Sequence, residues 1–250
     1  MNRTCLLASI AFASVAVASD KAHEAPHWTY EGAEGPEHWG ELDPSFEPCK
    51  LGHLQSPIDI PAATLHPAHL DPIQFAYKPT RLHIVDNGHT VMVTYPPASR
   101  IRIGAAEYEV QQLHFHMPAE ETIDGKSFPL GAHIVHKDKH GKLAVVAILF
   151  QEGPANPGLA AAFGHMPVKA GIEEAPHARI DATSLLPQQH SYFTFQGSLT
   201  TPPCTEGVTW YVLRTPATAS ADQIAAFAKR YPHDARPVQP LEGREIRESE

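Results

Sequence analysis

A chain of 250 residues with 42% hydrophobic and 19% charged side chains is one globular domain's worth of sequence, long enough for a sizeable core and neither disordered nor fibrous. Nineteen basic against 28 acidic side chains leave a formal charge of −9 with no Lys/Arg block, so the electrostatic footprint that grips a nucleic-acid backbone is missing and no nucleic-acid partner is expected. The unusual count is histidine, at 17: this is the side chain that titrates nearest neutral pH and the commonest metal ligand.

The N-terminus reads as an export signal. Arg3 precedes the uncharged apolar run Leu6–Ala18, and Ala16-Val17-Ala18 offers a small-x-small cleavage site before Ser19. Residues 1–18 are therefore expected to be a signal peptide and residues 19–250 a single exported domain, periplasmic or secreted. No membrane anchor is expected, because that run is too short to span a bilayer and no later one approaches about 18 apolar residues. Cys5 leaves with the leader. Cys49 and Cys204 remain, and an oxidising compartment favours the one bridge they can form, which would stabilise by about 4 to 5 kcal/mol in the chain-entropy model. Two free thiols are the alternative.

No linker, repeat or low-complexity tract divides the rest, and 24 prolines spread along the chain suit many turns and short strands, so the domain reads as dominated by sheet. Leu82–Thr94 has two β-favouring halves around Asn87-Gly88, a hairpin signal. Val110–His116 alternates, which would put Val110, Gln112, His114 and His116 on one face and Gln111, Leu113 and Phe115 on the other. Asp124-Gly125 marks another turn, leading toward Ala132–Lys137, where His133 and Val135 share a face. Leu143–Phe150 is apolar throughout, as in a central strand buried on both sides, and Val208–Leu213 is a further strand. Asn156-Pro157 caps a short helix through Ala162. Ser220, with Gln223 three residues on, is a capping-box pattern ahead of an Ile224, Phe227, Ala228 stripe that stops before Pro232.

His114 and His116, two apart on a strand, aim both rings at one point, and His133 from a second strand would complete a trigonal base. That leaves the fourth tetrahedral position to water, as in a catalytic zinc site. Spacing alone leaves each of the three open to a plainer role in the core or at the surface, and His136 or His165 has a weaker claim. The surrounding motifs add to the signal: GPEHW at Gly35–Trp39, QSPIDI at Gln55–Ile60, NGH at Asn87–His89, QLHFH at Gln112–His116, AHIVH at Ala132–His136, SLTTPPCTEGVTW at Ser198–Trp210 and RPVQPL at Arg236–Leu241. In this order, from about Trp28 to Ile246, the chain resembles the α-class carbonic anhydrases in their bacterial exported form.

The resemblance implies a mainly β (α+β) domain with a large, mostly antiparallel, twisted central sheet and a few short surface helices. It implies one Zn²⁺ on His114, His116 and His133, and reversible hydration of CO₂ to bicarbonate and a proton by attack of zinc-bound hydroxide. Thr200 would orient that hydroxide while donating its own proton to Glu120, and Thr201 would help position bicarbonate. Val135, Val145, Leu199, Val208 and Trp210 would wall the CO₂ pocket. His89 would be the proton shuttle, with Tyr30 and Asn87 ordering the connecting waters, and Gln112 would stand behind the metal. Cys49 and Cys204 would pair and brace the loop that carries Thr200. A noncatalytic zinc-binding protein on the same fold and a zinc esterase are the alternatives. The complete histidine set with Thr200 and Glu120 disfavours the first, and a narrow apolar wall with a shuttle histidine disfavours the second.

Three departures from the family pattern cluster behind the metal. The usual glutamate two residues before the third ligand, accepting its Nδ1–H, is here Gly131; the histidine often found after Glu120 is Glu121; and a frequent tyrosine is Phe195. Glu121 is therefore expected to replace the missing acceptor for His133. Met92, near the mouth of the site, also stands where the family often has a polar residue.

Overall fold

Runs of β-branched and aromatic residues build a thirteen-stranded sheet in the computed structural model. The structure describes residues 26–250, apart from the side chains of 172–176, so the expected leader at 1–18 lies outside the described residues. The long strands are β1 (Thr80–Asp86), β2 (Val91–Thr94), β3 (Ala106–His116), β4 (Leu130–Lys137), β5 (Leu143–Glu152), β6 (Gly171–Ile180), β7 (Tyr192–Ser198) and β8 (Glu206–Leu213). Across the sheet they run β6-β1-β2-β3-β4-β5-β8-β7. Neighbours among these eight are antiparallel except β5 and β8, which run parallel, so the sheet is mixed.

The hairpin at Asn87-Gly88 forms: Asp86 pairs with Val91, and Gly88 sits at φ +89°, where glycine carries no steric penalty. Both helices start as their capping residues direct. Asn156 accepts from the amides of Gly158 and Leu159 at the head of α1 (Pro157–Phe163), and a complete capping box opens α2 (Ala221–Ala228). Strands β6 and β7 carry weaker signals. Pro176 and the adjacent Glu173 and Glu174 interrupt any alternation in β6, which is tolerated at the edge of a sheet. In β7, Tyr192, Phe193, Thr194 and Phe195 are all buried, so its pattern has no period of two.

The sheet separates two apolar layers. On one side Leu82, Ile84, Leu113, Phe115, Ile134 and Val146 pack with Phe163 and Phe227 of the helices. On the other, Val135, Val145, Ala147, Val208 and Trp210 pack with Ile58 and Ile60. The alternation expected along β3 fails at one point. The register of β3 against β4 shifts between Val110 and Gln112, and this bulge returns Val110 to the layer of Leu113 and Phe115 instead of the face of His114 and His116.

Candidate metal centre

Pairing of β3 with β4 sets His114 directly opposite His133, and His116 opposite Gly131. The three rings form a triangle with centroid separations of 4.9, 5.3 and 4.7 Å, and one nitrogen from each lies within 4.8 Å of the others. The nitrogen on the far side of each ring is already held. Gln112 Oε1 lies 2.7 Å from His114 Nδ1, the main-chain oxygen of Asp234 lies 2.7 Å from His116 Nδ1, and Glu121 Oε2 lies 3.2 Å from His133 Nε2. These partners turn His114 Nε2, His116 Nε2 and His133 Nδ1 toward one centre. Burial, and then the neighbouring imidazoles, hold His114 and His133 well below the ordinary histidine pKa, so they present neutral lone pairs. His116 Nε2 is buried without a hydrogen-bond partner, a loss that a metal ion would make good. Three convergent imidazoles with outer partners fit Zn²⁺ in an open site.

The turn after β3 supplies the carboxylates. Glu120 Oε1 accepts the amide of Arg236 at 2.7 Å, while Oε2 is buried without a hydrogen-bond partner 3.6 Å from His116 Nε2, and the nearby Thr200 side chain favours the carboxylate form of Glu120. Glu120 and Glu121 are both buried. Burial pushes Glu120 well above the usual carboxylate range, with the adjacent Glu121 adding to it, and pushes Glu121 up to about 7. Glu121 faces His133, but through Nε2 and not through Nδ1 as expected. The Nδ1 edge of that ring points into the cluster, so the acceptor must stand at the opposite edge.

Val135, Val145, Val208 and Trp210 are buried in one layer with Leu199 packed against it. Val145 lies between Val135 and Trp210 in register, and the Trp210 ring meets His133 edge-on at 5.0 Å. Thr200 is buried and Thr201 half-buried; the Thr201 carbonyl accepts the amide of Cys204, which is disulfide-bonded to Cys49. His89 lines a cavity of about 420 Å³ with Trp28, Tyr30, Tyr231 and Asp234. Its ring stacks flat on Trp28 at 3.7 Å, and burial, then the charge of His27, lowers its pKa. The Tyr30 hydroxyl is buried without a protein partner. Asn87 is exposed, and its side-chain oxygen is committed to the amides of His89 and Thr90, so it shapes the turn that carries His89. Met92 is half-buried opposite His114.

Two functional residues carried no usable signal in the sequence. Asp234 holds His116 through its main-chain oxygen, which no side-chain pattern can reveal, and its carboxylate accepts the amide of Met117 at 2.6 Å. Trp28, the surface on which His89 rests, is one aromatic residue among many. Arg236 was visible only as the start of a motif. Its guanidinium is buried and donates to Gln55 Oε1, to the Ser56 oxygen and to the Cys49 oxygen at 2.8, 2.8 and 2.9 Å, tying the disulfide to the chain that holds Glu120.

The chain is similar to known proteins of one family. The model of the eukaryotic-type carbonic anhydrase family matches residues 34–250. A carbonic anhydrase of Pectobacterium carotovorum is 45% identical over 229 residues, covering 91% of this chain and 93% of that protein; one of Nostoc sp. is 42% identical over 240 residues, covering 94% and 91%. The α-carbonic anhydrase of Thermovibrio ammonificans, solved with the inhibitor sulfanilamide, superposes with a TM-score of 0.87 at 40% identity, over 90% of this chain and 100% of that one. The chain belongs to the eukaryotic-type, or α, carbonic anhydrase family.

Proposed function

We infer that the three-imidazole centre is the zinc site of a carbonic anhydrase, catalysing reversible conversion of CO₂ and water to bicarbonate and a proton. The observation that carries this is the convergence of three histidine nitrogens, each on a ring whose far nitrogen is already engaged, beside Glu120 and Thr200. When bound, zinc supplies Lewis acidity that makes water acidic enough to serve as the nucleophile near neutral pH, an effect for which carbonic anhydrases are the standard example.

The residues around it position and exclude. Glu120 Oε1 is occupied by the Arg236 amide and Oε2 is free to accept the Thr200 proton; Thr200 Oγ1 then keeps its lone pairs for the nucleophile and fixes its orientation. Glu120 orients Thr200 and is not the base. Val135, Val145, Leu199, Val208 and Trp210 offer CO₂ an apolar wall, and Thr201 holds bicarbonate before release. His89 accepts the departing proton on an imidazole nitrogen and gives it to buffer. The bare hydroxyl of Tyr30 is a natural anchor for a water on that route. Gln112 and Glu121 steady His114 and His133. No helix among the described residues is long and apolar enough to cross a membrane. The leader read at 1–18 supports a single catalytic domain of residues 19–250 exported to the periplasm or beyond.

Stopped-flow CO₂ hydration by purified protein, with zinc quantified on the same sample before and after mild chelation, tests the activity. Fast hydration in proportion to zinc content is the expected result. Stoichiometric zinc without hydration would replace this reading with that of a binding protein on the same fold.

A further inference from the structure

The partner of His133 comes from a different element than the family's usual pattern provides. In that pattern the carboxylate stands on the ligand's own strand, two residues before it, and here that place is Gly131. A Cβ at Gly131 would lie 3.1 Å from both Cα and Cβ of Ala119, closer than ordinary van der Waals contact. A side chain at that place on strand β4 would therefore crowd Ala119 as long as the turn at 117–121 keeps its course. That course is pinned along its length. The Met117 amide donates to Asp234 Oδ1 at 2.6 Å, the Ala119 amide to the Phe128 oxygen at 2.9 Å, and Glu120 Oε1 accepts the Arg236 amide at 2.7 Å. Held so, the turn delivers the fully buried Glu121 to His133, with Oε2 at 3.2 Å from Nε2.

We propose that Glu121 is the positioning residue for His133 and that Gly131 is its steric counterpart: the carboxylate reaches the third ligand from the turn because the strand leaves residue 131 bare. The proposal rests on the zinc reading of the site. It has a consequence for how the site is built. Consecutive residues of one pinned turn now perform two tasks, Glu120 holding Thr200 and Glu121 holding His133, so a small displacement of Ala119 reaches both.

Zinc release from the loaded protein into excess chelator, measured for the wild type and for E121A, E121Q and G131A beside thermal unfolding of each metal-free protein, tests this. Loss of an outer partner typically weakens metal affinity about 10- to 100-fold, and E121A is expected to release zinc faster by that factor. E121Q keeps an oxygen in the same place and should fall between E121A and the wild type, with its metal-free unfolding temperature close to wild type. If E121A does not fold, the near-isosteric E121Q carries the test. G131A, which pushes on Ala119 without touching any side chain of the site, should reproduce part of the E121A effect. Wild-type release rates for E121A and E121Q would overturn the proposal, and a wild-type rate for G131A would overturn its steric half. A wild-type protein that takes up no zinc would instead overturn the zinc reading itself, a distinct result.

Discussion

His133 and His136 stand three residues apart on β4 and face opposite sides of the sheet, and the contrast between them separates a site from a core. Both are buried, and burial lowers the pKa of both: His133 well below the ordinary histidine value, His136 to about 3. A neutral buried imidazole is therefore not by itself a sign of function. What differs is the company. His133 meets His114 and His116 and the carboxylate of Glu121. His136 lies opposite Val110 and Ala144 in register, shares one hydrogen bond of 3.0 Å with the Tyr77 hydroxyl, and leaves Nδ1 without a partner. Convergence of donors on one point makes the first histidine a candidate ligand, and its lack makes the second a residue of the interior.

The most direct way to break this contrast is to remove each histidine in turn. His133→Ala and His114→Ala should each cost more than loss of an outer partner does, so CO₂ hydration is expected to fall by more than about 100-fold, with bound zinc falling in parallel. His136→Leu should keep both zinc and hydration. Equal losses on the two faces would erase the distinction. Next in size is Thr200→Ala, which divides the ligand face into holding and positioning parts. Misplacing a reacting group by about 1 Å can cost about 100-fold, so kcat/KM should drop by roughly that factor while zinc content measured by atomic absorption stays at wild type.

Much of this contrast was legible beforehand, and the exceptions have physical causes. The i, i+2 spacing of His114 and His116 and the motif order pointed to the cluster the structure brings together, because side-chain identity and strand period together fix where a donor points. Val110 was misplaced because a bulge adds a residue without leaving a mark in a window of alternating side chains. The nitrogen through which His133 meets Glu121 depends on ring orientation, which spacing does not encode. Asp234 acts on His116 through a main-chain oxygen, and every residue has one. Gly131 was visible as an absent carboxylate, whereas the reason for its absence, the approach of Ala119, required the fold.

A smaller effect is expected at His89, outside the metal cluster. His89→Ala should lower kcat about 10- to 100-fold, at or below the low end for general acid–base groups because buffer can replace the shuttle in part, and should leave kcat/KM nearly unchanged. Added imidazole should restore kcat. Since burial and then the charge of His27 lower its pKa, His89 becomes a competent acceptor as pH rises through a midpoint below the usual histidine value of about 6.5. Stopped-flow rates from pH 5 to 8 would show it, and a midpoint above that value would contradict the burial seen for this ring.

The back face gives the last and smallest prediction, in stability. His136 stays neutral in the native state down to about pH 3, whereas in the unfolded chain it takes up a proton near pH 6.5. Between those values the unfolded state binds more protons, so the contribution of this residue is intact above pH 6.5 and is lost as pH falls, by up to about 1.4 kcal/mol per pH unit. Replacing His136 alone would leave the buried Tyr77 hydroxyl unpaired, so the informative protein is the double variant H136L/Y77F. Urea unfolding of the zinc-loaded protein from pH 7 to pH 4 should show a shallower acid decline for the variant. The imidazoles of the metal face and the other carboxylates contribute equally to both proteins and cancel in the difference. An identical decline would mean that His136 acquires its proton in the folded protein, and then the two faces of β4 would differ in burial as well as in company.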